Sequence, residues 1–106
     1  MSKVIHAINN IIKNRNLIKA VTRHKVHTWF SFYYTDEFLI YISKVNKNEY
    51  IIDFIGYNGD RLTYNSNDFK LDAEKDVFKL LYDTMIDKFK NRYEYILNEI
   101  INLGKN

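Results

Sequence analysis

Two histidines three residues apart, His24 and His27, are the first side chains here whose type and spacing could do chemistry. Imidazoles so placed can share a metal ion. A metal site would need a third ligand, and the nearest carboxylate in sequence, Asp36, falls at the far end of the strand the histidines lead into. Glu49 and Asp53 share one strand face, but at a rise of ~3.3 Å per residue they stand about 13 Å apart. That exceeds even the roughly 6.5–9.5 Å between the carboxyl groups of an inverting glycosidase. Gly56, Gly59 and Gly104 are too scattered to cradle a phosphate. The absence of cysteine removes thiolate nucleophiles, cysteine-ligated zinc and disulfides. The sequence therefore predicts no catalytic, cofactor-binding or metal-binding residue, and a protein that is not an enzyme.

The charged residues suggest binding instead. The first 35 residues carry a formal charge of +6, with three histidines and no carboxylate; the remainder carries −3, for a net +3. Such asymmetry points to an anionic partner, or to the two parts facing each other. The densest basic stretch is KNRNLIKAVTRHKVH, residues 13–27. Within it Arg23, His24 and Lys25 mark a helix-to-strand junction and are candidate phosphate contacts. Lysines on the outer face of an amphipathic helix are more often simply solvated, and the net charge is modest for a dedicated nucleic-acid binder.

Positioning these residues falls to a small set of elements. With 106 residues, 46% hydrophobic and 27% charged, the chain is expected to form a single domain, residues 1–106, of the α+β class. Val4, Ile5, Ile8, Ile11, Ile12 and Ile18 fall at helical spacing, predicting a helix over residues 4–22 with Ser2 as N-cap. Runs rich in β-branched and aromatic residues predict four strands, at 26–34, 38–45, 49–57 and 61–66. The links between them are short, so the sheet is expected to be an antiparallel meander. Asn58–Gly59 suggests a two-residue turn with positive φ at both positions. A long helix is predicted over residues 73–103, with Asp72 as N-cap and one continuous apolar face from Phe78 to Leu103. At 1.5 Å per residue it would run roughly 45 Å, against about 15 Å for the width of a four-stranded sheet. Its second half, with Tyr93, Ile96 and Ile100, is then a candidate homodimer interface.

Period-two alternation divides the strands into two faces. Phe30, Phe32, Tyr34, Phe38, Ile40, Ile42, Ile52, Phe54, Leu62 and Tyr64 form the face expected under the helices. The opposite parity carries Trp29, Tyr33, Tyr41 and Tyr57 among Ser, His and carboxylates. Helix 1 could cover that second face in a helix–sheet–helix sandwich; if both helices share the first face, the second lies open. Exposed Trp and Tyr anchor protein partners, and the same rings stack on unpaired bases in single-strand binders. Glu49 and Asp53 on this face would repel phosphates.

These features predict a small regulatory binding protein that docks on a host protein or nucleoprotein complex and modulates or inhibits it. Single-stranded nucleic acid is the alternative ligand. The Ile, Asn, Lys and Tyr content suggests an AT-rich genome, as in a phage or other mobile element of a low-GC bacterium. No signal peptide or run of about 20 apolar residues is evident. A cytoplasmic location, without membrane attachment, is expected.

Overall fold

The structure is a computed structural model, and it describes residues 2–24 and 28–104. Helix α1 spans Lys3–Lys13. The Ser2 hydroxyl accepts a hydrogen bond from the Ile5 amide at 3.2 Å, satisfying one of the unpaired donors of the first turn. The helix stops at Asn14, whose amide and side chain both donate to the Asn10 carbonyl. The predicted helix through residue 22 is corrected here. After a single 3-10 turn, Arg15–Leu17, the chain becomes a strand, β1, Ile18–His24.

Four further strands follow: β2 Trp29–Tyr34, β3 Phe38–Asn46, β4 Glu49–Ile55 and β5 Arg61–Asn65. The sheet is an antiparallel meander in the order β1-β2-β3-β4-β5, with five strands rather than the four expected. The last hairpin also differs from expectation. Within this loop only Gly59 has positive φ (89°), and its amide closes a turn onto the Gly56 carbonyl at 2.9 Å. A three-residue loop needs the left-handed conformation only at its last position, so Asn58 is spared it. Tyr57 lies in this loop, beyond the strand predicted to contain it.

Helix α2 spans Asp72–Lys90 and α3 spans Glu94–Asn102. Asp72 is the first helical residue rather than the cap. Leu71 occupies the cap position, and its amide donates to the Glu74 carboxylate at 3.3 Å. The predicted single long helix is broken at residues 91–93. There the Arg92 guanidinium donates to the Phe89 carbonyl at 2.6 Å and lies between the Phe89 and Tyr93 rings. A cation bonded to a terminal carbonyl complements the negative end of α2 and fixes the break.

Both α1 and α2 pack on the same face of the sheet. Ile5, Ile8 and Ile11 of α1 meet Phe78, Leu81 and Met85 of α2 over Phe30, Phe32, Ile40, Ile42 and Ile52, all buried. Phe30, Tyr50, Tyr82 and Phe89 add an aromatic cluster beneath the end of α2, with neighbouring centroids 5.4–6.0 Å apart. Ser66 is also fully buried, and its hydroxyl accepts the Tyr50 amide at 2.9 Å where β5 ends. Two residues assigned to the covered face, Phe38 and Leu62, remain exposed because the helical layer stops short of that corner.

Strand β1 contains a bulge. Lys19 pairs with Tyr33 and Thr22 with Ser31, so two residues of β1 oppose one of β2. Ala20 takes φ 54° within it, the left-handed position that glycine fills most readily. Relieving a left-handed alanine gains about 1–2 kcal/mol, and glycine's extra chain entropy returns roughly 0.5–1 kcal/mol of that. Ala20→Gly should therefore raise stability by about 0.5–1 kcal/mol in urea unfolding. A lowered midpoint would mean that Ala20 is not left-handed.

Burial raises the pKa of both Tyr50 and Tyr82; Asp83 adds to the rise at Tyr50, and Arg23 opposes it at Tyr82. Below the ordinary tyrosine value of 10.0 both states are neutral and the stability is fully present. Above it the unfolded chain ionises first, so stability falls as pH rises through the folded values. Tyr82 also donates to the Thr28 carbonyl at 3.1 Å. Tyr82→Phe should cost about 1 kcal/mol at neutral pH and flatten the alkaline loss, as thermal melts between pH 8 and 11 would show.

Candidate docking face of the sheet

The second face of the sheet carries no helix among the described residues. Directly opposed residues of antiparallel strands share a face, so the register lays out three rows across it. The first is His24, Trp29, Ser43, Ile51 and Asn65; the second is Thr22, Ser31, Tyr41, Asp53 and Thr63; the third is Lys19, Tyr33, Leu39, Ile55 and Arg61. None of the fifteen is buried, whereas the same strands bury Phe30, Phe32, Ile40, Ile42 and Ile52 on the other side. Of the two arrangements open at the sequence level, this is the one with both helices on the first face.

The bulge decides what stands at one end of this surface. Its extra residue reverses the parity of β1 beyond Ala20, turning Thr22 and His24 to the open face and Val21 towards the core. His24 then lies flat on Trp29, with ring centroids 3.6 Å apart and planes 6° from parallel. Its Nε2 is 3.0 Å from the Ser31 hydroxyl. Tyr41 completes the group, 5.2 Å from the Trp29 centroid and inclined at 41°. Beside the rings lies a shallow hollow of about 830 Å³, lined among others by Tyr41, Ser43, Ile51, Asp53 and Arg61.

The carboxylates of this face are engaged locally. Glu49 accepts from the side-chain amides of Asn46 and Asn65, each at 2.6 Å, and Asp53 accepts from the Thr63 hydroxyl. Lys19 pairs with Asp36 at 3.2 Å on an exposed corner, a contact worth little to stability. Arg61 and Lys19 offset Glu49 and Asp53, so the face has no cationic bias. Among the described residues no three His, Asp or Glu side chains are grouped to hold a metal ion.

The predicted site residues separate. Trp29 and Tyr41 come together with His24. Tyr33 shares the face but lies four residues along β2 from Trp29, in the third row. Arg23 turns the other way, its guanidinium 5.9 Å from the Phe30 ring on the helical side. Lys25 and His27 lie outside the described residues. Tyr57 stands apart in its loop, 82% exposed. Tyr93 flanks the break between α2 and α3, and Ile96 and Ile100 are exposed on α3. Ser31 was not singled out as a site residue, although its strand parity placed it between Trp29 and Tyr33. Its importance depends on His24 reaching it, and that requires the bulge.

Trp29 is the chain's single tryptophan, so its fluorescence reports on this cluster alone. His24→Ala uncovers one face of the indole and should move its emission to longer wavelength, while Ser31→Ala should give a smaller shift. Identical spectra would show that the two rings are not stacked in solution. No helix among the described residues is long and apolar enough to cross a membrane. Neither protein-family models, curated proteins nor solved structures give a match to this chain.

Proposed function

We propose that the protein is a small binding module without chemistry of its own, which docks through its open sheet face onto a partner protein and modulates it. The observation that carries this reading is the His24–Trp29–Tyr41 cluster on an uncovered sheet face, beside a hollow and within a rim of hydroxyls, amides and balanced charges. Flat aromatic side chains lose little conformational freedom on binding and supply large contact areas, which makes Trp and Tyr frequent anchors of protein interfaces. Stacking on His24 and tilting against Tyr41 hold the indole before any partner arrives, lowering the ordering cost of association. The surrounding Ser31, Ser43, Thr22 and Thr63 offer hydrogen bonds that tolerate water when unbound.

Charge argues for protein rather than nucleic acid. A single-strand binder combines stacking rings with a cationic track for the backbone. Here Glu49 and Asp53 lie on the same face as the rings, and Arg23 faces away from it.

The test pairs two measurements on the same variants. Immobilised protein should retain a defined partner from extracts of the cells that make it, equally at low and near-physiological salt. Trp29→Ala and Tyr41→Ala should each weaken that complex by at least about 30-fold, the scale of a 2 kcal/mol anchor residue. Tyr57→Ala should leave it unchanged. Labelled oligonucleotides should show no more than weak attraction that vanishes as salt rises. Tight, single-strand-selective binding lost in Trp29→Ala would overturn the protein-docking reading.

A further inference from the structure

We infer that α3 of one copy docks into the apolar groove that α1 and the β3–β5 corner form on a second copy, giving a reciprocal two-fold dimer. This contact uses neither the aromatic cluster nor the open sheet face and stands independently of the docking reading. The groove exists because the helical layer is narrower than the five-stranded sheet. It measures about 470 Å³ and is lined by Val4 and Ala7 of α1 and by Phe38, Phe54, Leu62 and Tyr64 of the strands, with Lys3 at its rim and no carboxylate. Phe38 and Leu62 in it are 39% and 57% exposed.

The complementary piece is α3. Ile96, Leu97, Ile100 and Ile101 are 40–60% exposed, and a nine-residue helix that buries so little is marginal by itself. Its only charged residues are Glu94 and Glu99, while α1 carries Lys3, His6 and Lys13 and no acid. An acidic, apolar helix thus faces a basic-rimmed apolar groove. The lengths agree: at 1.5 Å per residue α3 spans about 13 Å and α1 about 16 Å.

The two halves do not meet within one chain. Phe89, at the end of α2, packs on Phe30 at the start of β2. The groove lies at the opposite end of that strand, by Tyr34, and reaches across to β5. Four residues along and three strands across make a separation of roughly 20 Å. α3 continues α2 beyond the break, and the molecule's long dimension is 53 Å against 31 and 28 Å. Each copy has one helix to give and one groove to fill, so two copies close the arrangement and leave neither exposed.

Sedimentation equilibrium of the full chain tests this. The parent should dimerise, and Ile100→Asp and Leu62→Asp should each raise the dissociation constant at least about 10-fold, with circular dichroism confirming the fold. The two variants mixed should form a 1:1 pair, since one retains the groove and the other the helix. Trp29→Ala should dimerise as the parent does. If Leu62→Asp does not fold, Phe38→Ser takes its place, and Lys3→Glu should weaken the dimer while Glu99→Lys in the other copy restores it. A parent that stays monomeric overturns the inference. So does a folded groove variant that dimerises normally, because it would leave α3 pairing with α3, and so does a mixture that stays monomeric.

Discussion

The rest of the structure depends on α1 and α2 sharing one side of the sheet. Ile5, Ile8 and Ile11 lie against Phe78, Leu81 and Met85, so each helix covers the flank of the other as well as the strands below. Burying a side chain of this size is worth about 1.5–3 kcal/mol, and the pairing gathers nearly all of that burial on one face. The opposite face must then be stable while wet. It achieves this with cross-strand pairs rather than a core: rings beside rings, hydroxyls beside carboxylates, and a hydrogen bond for each buried polar side-chain atom among the described residues. An open face is thus a direct consequence of how the helices pack.

The bulge at Ala20 adds a second constraint. Without the extra residue, strict alternation would send His24 towards the helices and Arg23 onto the open face. With it, an aromatic base pairs with Trp29, and the cation moves beside Phe30. One left-handed alanine therefore exchanges a charge for a ring at the end of the open face. The same bulge protects an edge strand. Among the described residues no strand pairs with the outer side of β1, and the bulge together with Lys19 and Arg23 discourages another strand from adding there. At the other edge β5 is only five residues long and begins with Arg61. Both edges are therefore blunted against strand addition.

Much of this was legible in the sequence. Strands β2 to β5 show clean period-two alternation, and it separates the two faces correctly, Phe32 from Tyr33 and Ile40 from Tyr41. The residues of β1 did not declare themselves, for two reasons. Ile18 follows Ile11 at a spacing of seven, which continues the stripe of α1, and the bulge breaks the alternation that would have marked a strand. The break between α2 and α3 was hidden similarly. Phe89, Tyr93, Ile96 and Ile100 keep helical spacing straight across it, and no glycine or proline marks the interruption, at which the Arg92 guanidinium bonds to the Phe89 carbonyl. Trp29 and Tyr41 could be chosen from parity alone. Grouping Arg23 with His24 assumed a helix-to-strand junction where β1 in fact sends neighbouring residues to opposite faces, and placing Tyr57 on the face assumed a tighter turn than the loop closed by Gly59.

The charge asymmetry of the sequence takes on a different meaning once the fold is known. A basic first third suggested an anionic ligand, yet the basic residues of α1 lie on the helical side, and those of β1 are divided between the two faces. What remains concentrated is a contrast between two helices, α1 without acids and α3 without bases. α1 borders an apolar groove and α3 carries an apolar stripe, so this contrast matches the pairing of α3 with the groove inferred above. That leaves the nearly neutral sheet face free of a strong field. The docking proposed for this surface would therefore rest on the shape of the rings and the hydrogen bonds around them, more than on long-range attraction.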